Sequence, residues 1–310
     1  MPLLTALAGR LKAPIIAAPM FLVSNPDLVV ETCRGGLLGT FPALNARTSE
    51  EYAAWLDEIS GRLSDAPDAA PFGVNLIVHG TNKRLEADLA VTVEHKVPLV
   101  ITSLGAVRDV VAAVHSYGGL VFHDVISRRH AEKAAEAGVD GIIAVAAGAG
   151  GHAGNLSPFA LIPEIRAVFD GTVILSGAMS TGAHVAAARM MGADLAYLGT
   201  RFIATRESAA PDAYKEMLRE AAAADIVYTS AISGINANFL RPSIKAAGLD
   251  PDNLTGHGKL NLDAETKAWK KVWSAGQGVG SVLDIPPTAD LCARLIAEYG
   301  AARDSAARLL

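Results

Sequence analysis

His152 stands in the stretch AAGAGGHAGNLSPF (146–159), among four glycines and with no acidic or cysteine neighbour. Glycine at this density costs backbone entropy on folding, so a bland connector would not ordinarily carry it. The composition predicts that something approaches this backbone closely, with Ala147, Gly150 and Gly151 leaving the room. A lone imidazole in such a place suits a general base or a hydrogen-bond donor to an anion. A solvent-facing loop histidine is the alternative. No metal-ligand spacing surrounds it, and no GxSxG nucleophile elbow occurs in the chain.

Two later segments suit an anion. TVILSGAMSTG (172–182) and LAYLGTRF (195–202) each close an apolar run with a glycine, Gly177 and Gly199. The amides of Gly177, Ala178, Gly199 and Thr200 are therefore candidates to hold a phosphate, as loops after the last two strands of a barrel often do. Ordinary turn glycines are the alternative. There is no Walker loop and no GxGxxG after the first strand.

Three further segments carry side chains of interest. In PIIAAPM (14–20), Ala18, Pro19 and Met20 could line a flat apolar cofactor, or Met20 could fill space in a core. Asn75, in FGVNL (72–76), is an amide in an apolar strand and needs partners, from a ligand or from the protein. GLVFHDV (119–125) sets His123 beside Asp124, and strand alternation lets only one of them point inward.

These residues need a frame. Apolar runs recur at 14–19, 36–41, 72–77, 98–103, 119–124, 141–146, 172–177 and 195–200, with helical segments between them. Most lack strict alternation, as strands buried on both faces do. Helix starts are marked by Asn25-Pro26 and by Thr48 or Ser49. Eight such units predict a (β/α)8 TIM barrel, with an open doubly wound sheet as the rival. After Arg206 the rhythm changes, and residues 208–276 read as a mostly helical insertion after strand eight. The expected division is a barrel of residues 1–207 and 277–310, with 208–276 as a lid or a dimerisation arm in a monomer or homodimer. Within the insertion, NANFLRPS (236–243) offers Phe239 and Arg241 to a substrate, or keeps them for structure.

Composition narrows the classes. A formal net charge of -5 with no block of like charges speaks against a nucleic-acid surface. No apolar run is long enough to span a membrane. Cys33 and Cys292 lie far apart without a CxxC partner and read as buried thiols. The expectation is a soluble cytoplasmic protein with a small-molecule ligand.

Together, PIIAAPM, FGVNL, AAGAGGHAG, ILSGAMSTG, LGTRF and SAGQGVG (274–280) resemble the nitronate monooxygenase family, formerly called 2-nitropropane dioxygenases. That family shares its fold with FMN-dependent enoyl-ACP reductases and certain NADH:quinone reductases. The resemblance runs from about residue 10 to 285. It implies a barrel that binds FMN without a covalent link, the phosphate lying on the four amides named above. It also implies that Met20 and Asn75 line the isoalloxazine, that Gln277 lies near the flavin, and that His152 is the active-site histidine. The implied reaction is oxidation of alkyl nitronates, or of nitroalkanes, by O2 to a carbonyl compound and nitrite. The alternative is an NAD(P)H-dependent reductase of a quinone or enoyl thioester. Two departures weigh against it: many relatives carry an acid ahead of the glycines where this chain has Ala147-Gly148-Ala149, and some carry Lys where it has Asp124.

Overall fold

The computed structural model describes residues 7, 9–105, 107–255 and 271–308. Eight parallel strands close into a barrel: β1 (Ile15–Ala17), β2 (Leu38–Pro42), β3 (Phe72–Val78), β4 (Leu99–Leu104), β5 (Leu120–Val125), β6 (Gly141–Val145), β8 (Thr172–Ser176) and β9 (Leu195–Leu198). Closure is made by β1 on β9, with Ile16 beside Tyr197. All eight coincide with the apolar runs read from the sequence, and the open sheet is excluded.

Side chains alternate across the barrel wall. Ile16, Leu38, Ile101, Phe122, Ile143, Ile174 and Leu195 fill the interior. Val74, Val100, Val121, Ile142 and Val173 face outward against the helices. The inward register continues to the C-terminal ends of the strands and carries Asn75, Ser103, Asp124, Val145, Ser176 and Tyr197 to the mouth. That is why Asn75, Ser103, Asp124, Ser176 and Tyr197 gather at the mouth.

The helices begin where their caps predict. The Asn25 side chain accepts from the Leu28 amide ahead of the helix Pro26–Arg34, and Thr48 caps Ser49–Leu63 through the Glu51 amide. The C-terminal helix Thr288–Ala306 packs against Gly182–Met190 and Pro26–Arg34, so it closes the ring as the last barrel helix. Gly182 makes that contact possible: a Cβ there would stand 2.2 Å from the Tyr299 amide nitrogen.

The insertion after β9 differs in detail from a helical lid. It holds the helices Asp212–Glu220 and Arg241–Ala246, but also β10 (Ile226–Thr229) and β11 (Ala237–Leu240). These two strands form an antiparallel pair, and β11 pairs in turn with β7, a two-residue strand made of Gly151–His152. Residues 256–270 of the proposed lid lie outside the described residues.

Candidate active site

The mouth of the barrel opens into a cavity of about 1330 Å³. Of the residues singled out in the sequence, Ala18, Pro19, Met20, Asn75, Asp124, Gly150, Gly151, His152, Gly177, Ala178, Gly199 and Thr200 all line it. Ala147 and Gln277 do not. The Ala147 amide donates to the Leu156 carbonyl, and its own carbonyl backs onto Gly177. Gln277 is exposed, donates its amide to the Gly148 carbonyl, and lays its side chain over Gly148. Both support the lining from behind.

The insertion, more than the glycines, holds His152 in place. His152 pairs with Ala237 and Gly151 with Asn238 across β7 and β11. The Gly151 amide donates to Ser274 Oγ at 2.6 Å, and that hydroxyl donates to the Asn238 carbonyl at 2.6 Å. The Asn238 side chain, 2% exposed, donates to the Ala149 carbonyl at 2.6 Å. Tyr214 stacks on Trp273 and hydrogen-bonds the Ser274 carbonyl. Sequence reasoning missed Asn238, Ser274 and Tyr214: the first two lie within NANFLRPS and SAGQGVG, but all three act through backbone groups far along the chain, which no motif displays.

The glycines serve two purposes. A Cβ on Gly150 would stand 2.9 Å from the Gly276 nitrogen, one on Gly276 would stand 2.6 Å from the Gly148 carbonyl, and one on Gly278 would meet the Ala178 backbone at 2.8 Å. Those three are required by backbone packed on backbone. Gly151 and Gly199 are different: a Cβ on Gly151 meets nothing within 4 Å, and one on Gly199 meets only Met20 and Ala18 at ordinary contact distance. Gly199 keeps space clear in the cavity, while Gly151 is also held at φ +70, which favours glycine whatever the space.

The candidate phosphate cradle keeps three of its four amides. The Ala178 N–H is committed to the Gly148 carbonyl at 3.2 Å, which helps hold Ala178 at φ +53, a strained value for a residue with a Cβ. Thr200 opens the short helix Thr200–Ile203, whose first amides have no intrahelical acceptor. Its hydroxyl accepts from the Gly276 amide at 2.8 Å and so ties the 275–280 segment to the cradle. An apolar wall of Ala18-Pro19-Met20, a polar floor and open amides at the ends of β8 and β9 together fit a flavin mononucleotide.

The floor of the mouth is a hydrogen-bonded chain. Asn75 Nδ2 donates to Ser103 Oγ at 2.9 Å and to the Ile101 carbonyl at 3.2 Å. Ser103 Oγ donates to Asp124 Oδ2 at 2.6 Å. The Asn75 Nδ2 donors are thus satisfied by the protein, and Asp124 is the member of the His123–Asp124 pair that points inward. Asp124 Oδ1 is buried without a hydrogen-bond partner. Burial raises the Asp124 carboxyl to about 6, against the Ser103 hydrogen bond and the nearby His152, which both favour its charged form. Tyr197, inward on β9, is pushed well above its usual range by burial and by Asp124. His123 turns the other way, shares a 2.8 Å hydrogen bond with Thr102 Oγ1, and is lowered to about 4 by burial and by His130. Ser103 and Tyr197 were also missed, although each sits two residues beyond an inward core residue.

Among the described residues, no group of three or more His, Cys, Asp or Glu could hold a metal ion, and no helix is long and apolar enough to cross a membrane. Both cysteines are buried thiols.

Known proteins resemble this chain along its length. The nitronate monooxygenase of Paraburkholderia phytofirmans is 29% identical over 289 residues, covering 77% of this chain and 76% of that protein. The (3aS,4S,5R,7aS)-5-hydroxy-7a-methyl-1-oxo-octahydro-1H-indene-4-carboxyl-CoA dehydrogenase of Mycobacterium tuberculosis is 29% identical over 244 residues, and the match spans 66% of that protein's length. Its namesake in Rhodococcus jostii is matched over 58% of its length. The nitroalkane oxidase structure from Streptomyces ansochromogenes superposes with a TM-score of 0.83 at 25% identity, covering 97% of this chain and all of that one (100%). FabK from Thermotoga maritima shares the fold, with a TM-score of 0.81 at 24% identity over 98% of this chain and 97% of that one. The nitronate monooxygenase family model matches residues 2–298. With a closed barrel, a glycine-set histidine at its mouth and a family match over nearly the whole chain, this protein belongs to the nitronate monooxygenase family of oxidoreductases.

Proposed function

We propose that the chain binds FMN at the barrel mouth and oxidises alkyl nitronates, or nitroalkanes after proton removal, with O2 to a carbonyl compound and nitrite. The observation that carries this reading is His152, presented to the cavity by a strand pair and not by a loose loop. The amides of Gly199 and Thr200 and the Gly177 amide after β8 would hold the phosphate, and Ala18-Pro19-Met20 would pack against the ring system. When bound, FMN supplies the electron chemistry with the substrate and with O2.

The protein positions and protonates. In its neutral form, His152 removes the α-proton of a neutral nitroalkane as general base. Protonated, it donates a hydrogen bond to the oxygens of a nitronate. Tyr214 and Tyr228, from the insertion, complete the outer wall and limit water. The insertion thereby acts as the substrate-side domain proposed for residues 208–276.

One observation supports a second reading, an NAD(P)H-dependent reductase of an enoyl thioester or quinone. The cavity continues past Ile126 to Arg108, His130 and Lys133 on the flanking helices, more room than a small nitronate fills. Two assays on the purified yellow protein separate the readings. Nitrite release from propionate 3-nitronate in air, with no bleaching by NADH under anaerobic conditions, is expected. Rapid anaerobic bleaching by NADH without nitrite release would instead establish the reductase.

A further inference from the structure

The cavity is larger than its proposed chemistry needs: its volume of about 1330 Å³ exceeds the roughly 300–1,000 Å³ usual for a ligand pocket. Around the ring, Leu85–Glu94 packs on Arg108–His115, and Arg128–Glu136 packs on Pro158–Arg166. Between these two pairs the cavity opens an arm. It reaches Val107 and Arg108 at the start of one helix, and Ala134 and Ala137 at the end of Arg128–Glu136. The apolar side chains of the arm are Leu104, Val107, Ile126, Ala134 and Ala137. Arg108 and Lys133 are set against Asp109 and Glu136, with His130 alongside, so the four formal charges offset and give a charged tail no net attraction. Two of the apolar side chains are not explained by the core. Ile126 is 41% exposed, and it lies against Gly154, two residues beyond His152: a Cβ on Gly154 would stand 3.1 Å from Ile126 Cβ. Leu104 lines the arm at φ +69, a value rare for a residue with a bulky side chain. The turn is fixed there by Gly105, whose Cβ would meet the Val78 carbonyl at 2.1 Å. Strain of this kind persists where a ligand site uses it.

We propose that the arm between Arg108–His115 and Arg128–Glu136 binds an uncharged, apolar tail of the substrate, so that the site selects nitronates with a long alkyl chain, and that Ile126 and Leu104 are its specificity-determining side chains. This rests on the reading of the cavity as the substrate site of a nitronate monooxygenase. The reacting head of such a substrate lies by His152, and the chain runs past Ile126 into the arm. Each methylene that leaves water for this lining adds to binding, whereas the mixed charges at the border stay hydrated and give no reward to a terminal anion or cation. The tail is held alike before and during the reaction, so its contribution appears in KM and not in kcat.

The test is aerobic nitrite release from the nitronates of unbranched primary nitroalkanes, from nitroethane to 1-nitrooctane, by flavin-loaded wild type and Ile126→Asp. In wild type, kcat/KM should rise about two- to fourfold with each added methylene, through KM. In Ile126→Asp the rise should flatten, and the octyl-to-ethyl ratio of kcat/KM should fall at least about tenfold. A wild-type profile that peaks at nitroethane, or the same slope in the variant, would overturn the proposal. If Ile126→Asp does not fold, Leu104→Gly takes its place. It removes the side chain and the backbone strain together and should lower the same ratio; an unchanged ratio would count against the arm. Failure of the functional reading shows separately, as no nitrite from any chain length. The arm is then read by calorimetry with the primary alcohols from ethanol to 1-octanol. Their affinity should rise with chain length in wild type and rise less in Ile126→Asp, and parallel slopes would overturn the proposal.

Discussion

At the scale of single residues, neighbours on β5 oppose one another. His123 stays neutral in the fold down to about pH 4 but binds its proton in the unfolded chain below about 6.5, so its burial costs stability as pH falls through that window. Asp124 does the reverse: folded it keeps a proton up to about 6, unfolded it loses it above about 3.8, so its burial costs stability as pH rises. Each costs up to about 3 kcal/mol, and between about pH 4 and 6 their opposite pH dependences largely cancel, leaving a nearly constant total cost. Asp124→Asn removes one side of the balance. Its melting temperature should therefore rise relative to wild type across that window, by several degrees at pH 6, and a constant offset would contradict the burial of Asp124. Gly199 belongs to the same scale. Gly199→Val should leave the fold intact, since only Met20 and Ala18 lie near its Cβ, yet fill the ligand space and lower FMN retention. A fully loaded yellow variant would argue against the cradle. Asp124, Gly199 and Thr200 were legible as single residues because each stands at the end of an apolar run, and His152 because glycines surround it. What each one touches was not, since Ser103, Tyr197 and Asn238 reach them from other strands.

At the scale of elements, the barrel strands were legible because burial on both faces makes each a continuous apolar run bounded by glycine or a cap. The strands that present His152 were not. Gly151–His152 is too short to show a period, and its partner β11 lies in an insertion that reads as mostly helical. The dense glycines were legible as a sign of close approach, but what approaches Gly150 is the backbone of Ala275 and Gly276, and what approaches Gly148 is the side chain of Gln277. The clamp can be tested directly. Asn238→Ala removes the buried donor to the Ala149 carbonyl, at a cost of about 1–3 kcal/mol in stability. It should retain FMN and lower kcat while KM changes little, because the histidine loop loses its position and the cradle does not. Loss of FMN with unchanged turnover per bound flavin would contradict that role for the insertion.

At the scale of the whole molecule, a barrel needs its ring of helices closed, and the segment that closes it follows the insertion. The join between Gly182–Met190 and Thr288–Ala306 leaves no space for a side chain at Gly182, whose Cβ would meet the Leu295 carbonyl and the Tyr299 amide. Gly182→Val should lower the melting temperature by several degrees and leave the flavin spectrum of the folded fraction unchanged; a variant as stable as wild type would contradict the closure. The insertion therefore sits between two parts of one barrel, and its sheet reaches back to the loop after β6. His152 is the side chain that the β7–β11 pairing holds at the cavity, and its proposed role is the centre of the mechanism. Nitrite release in air from propionate 3-nitronate and from 2-nitropropane, by wild type and His152→Ala at equal flavin content, tests that claim most directly. The variant should stay yellow and lose turnover at least about a hundredfold, with the greater loss on the neutral nitroalkane. Nitrite release at the wild-type rate would contradict it.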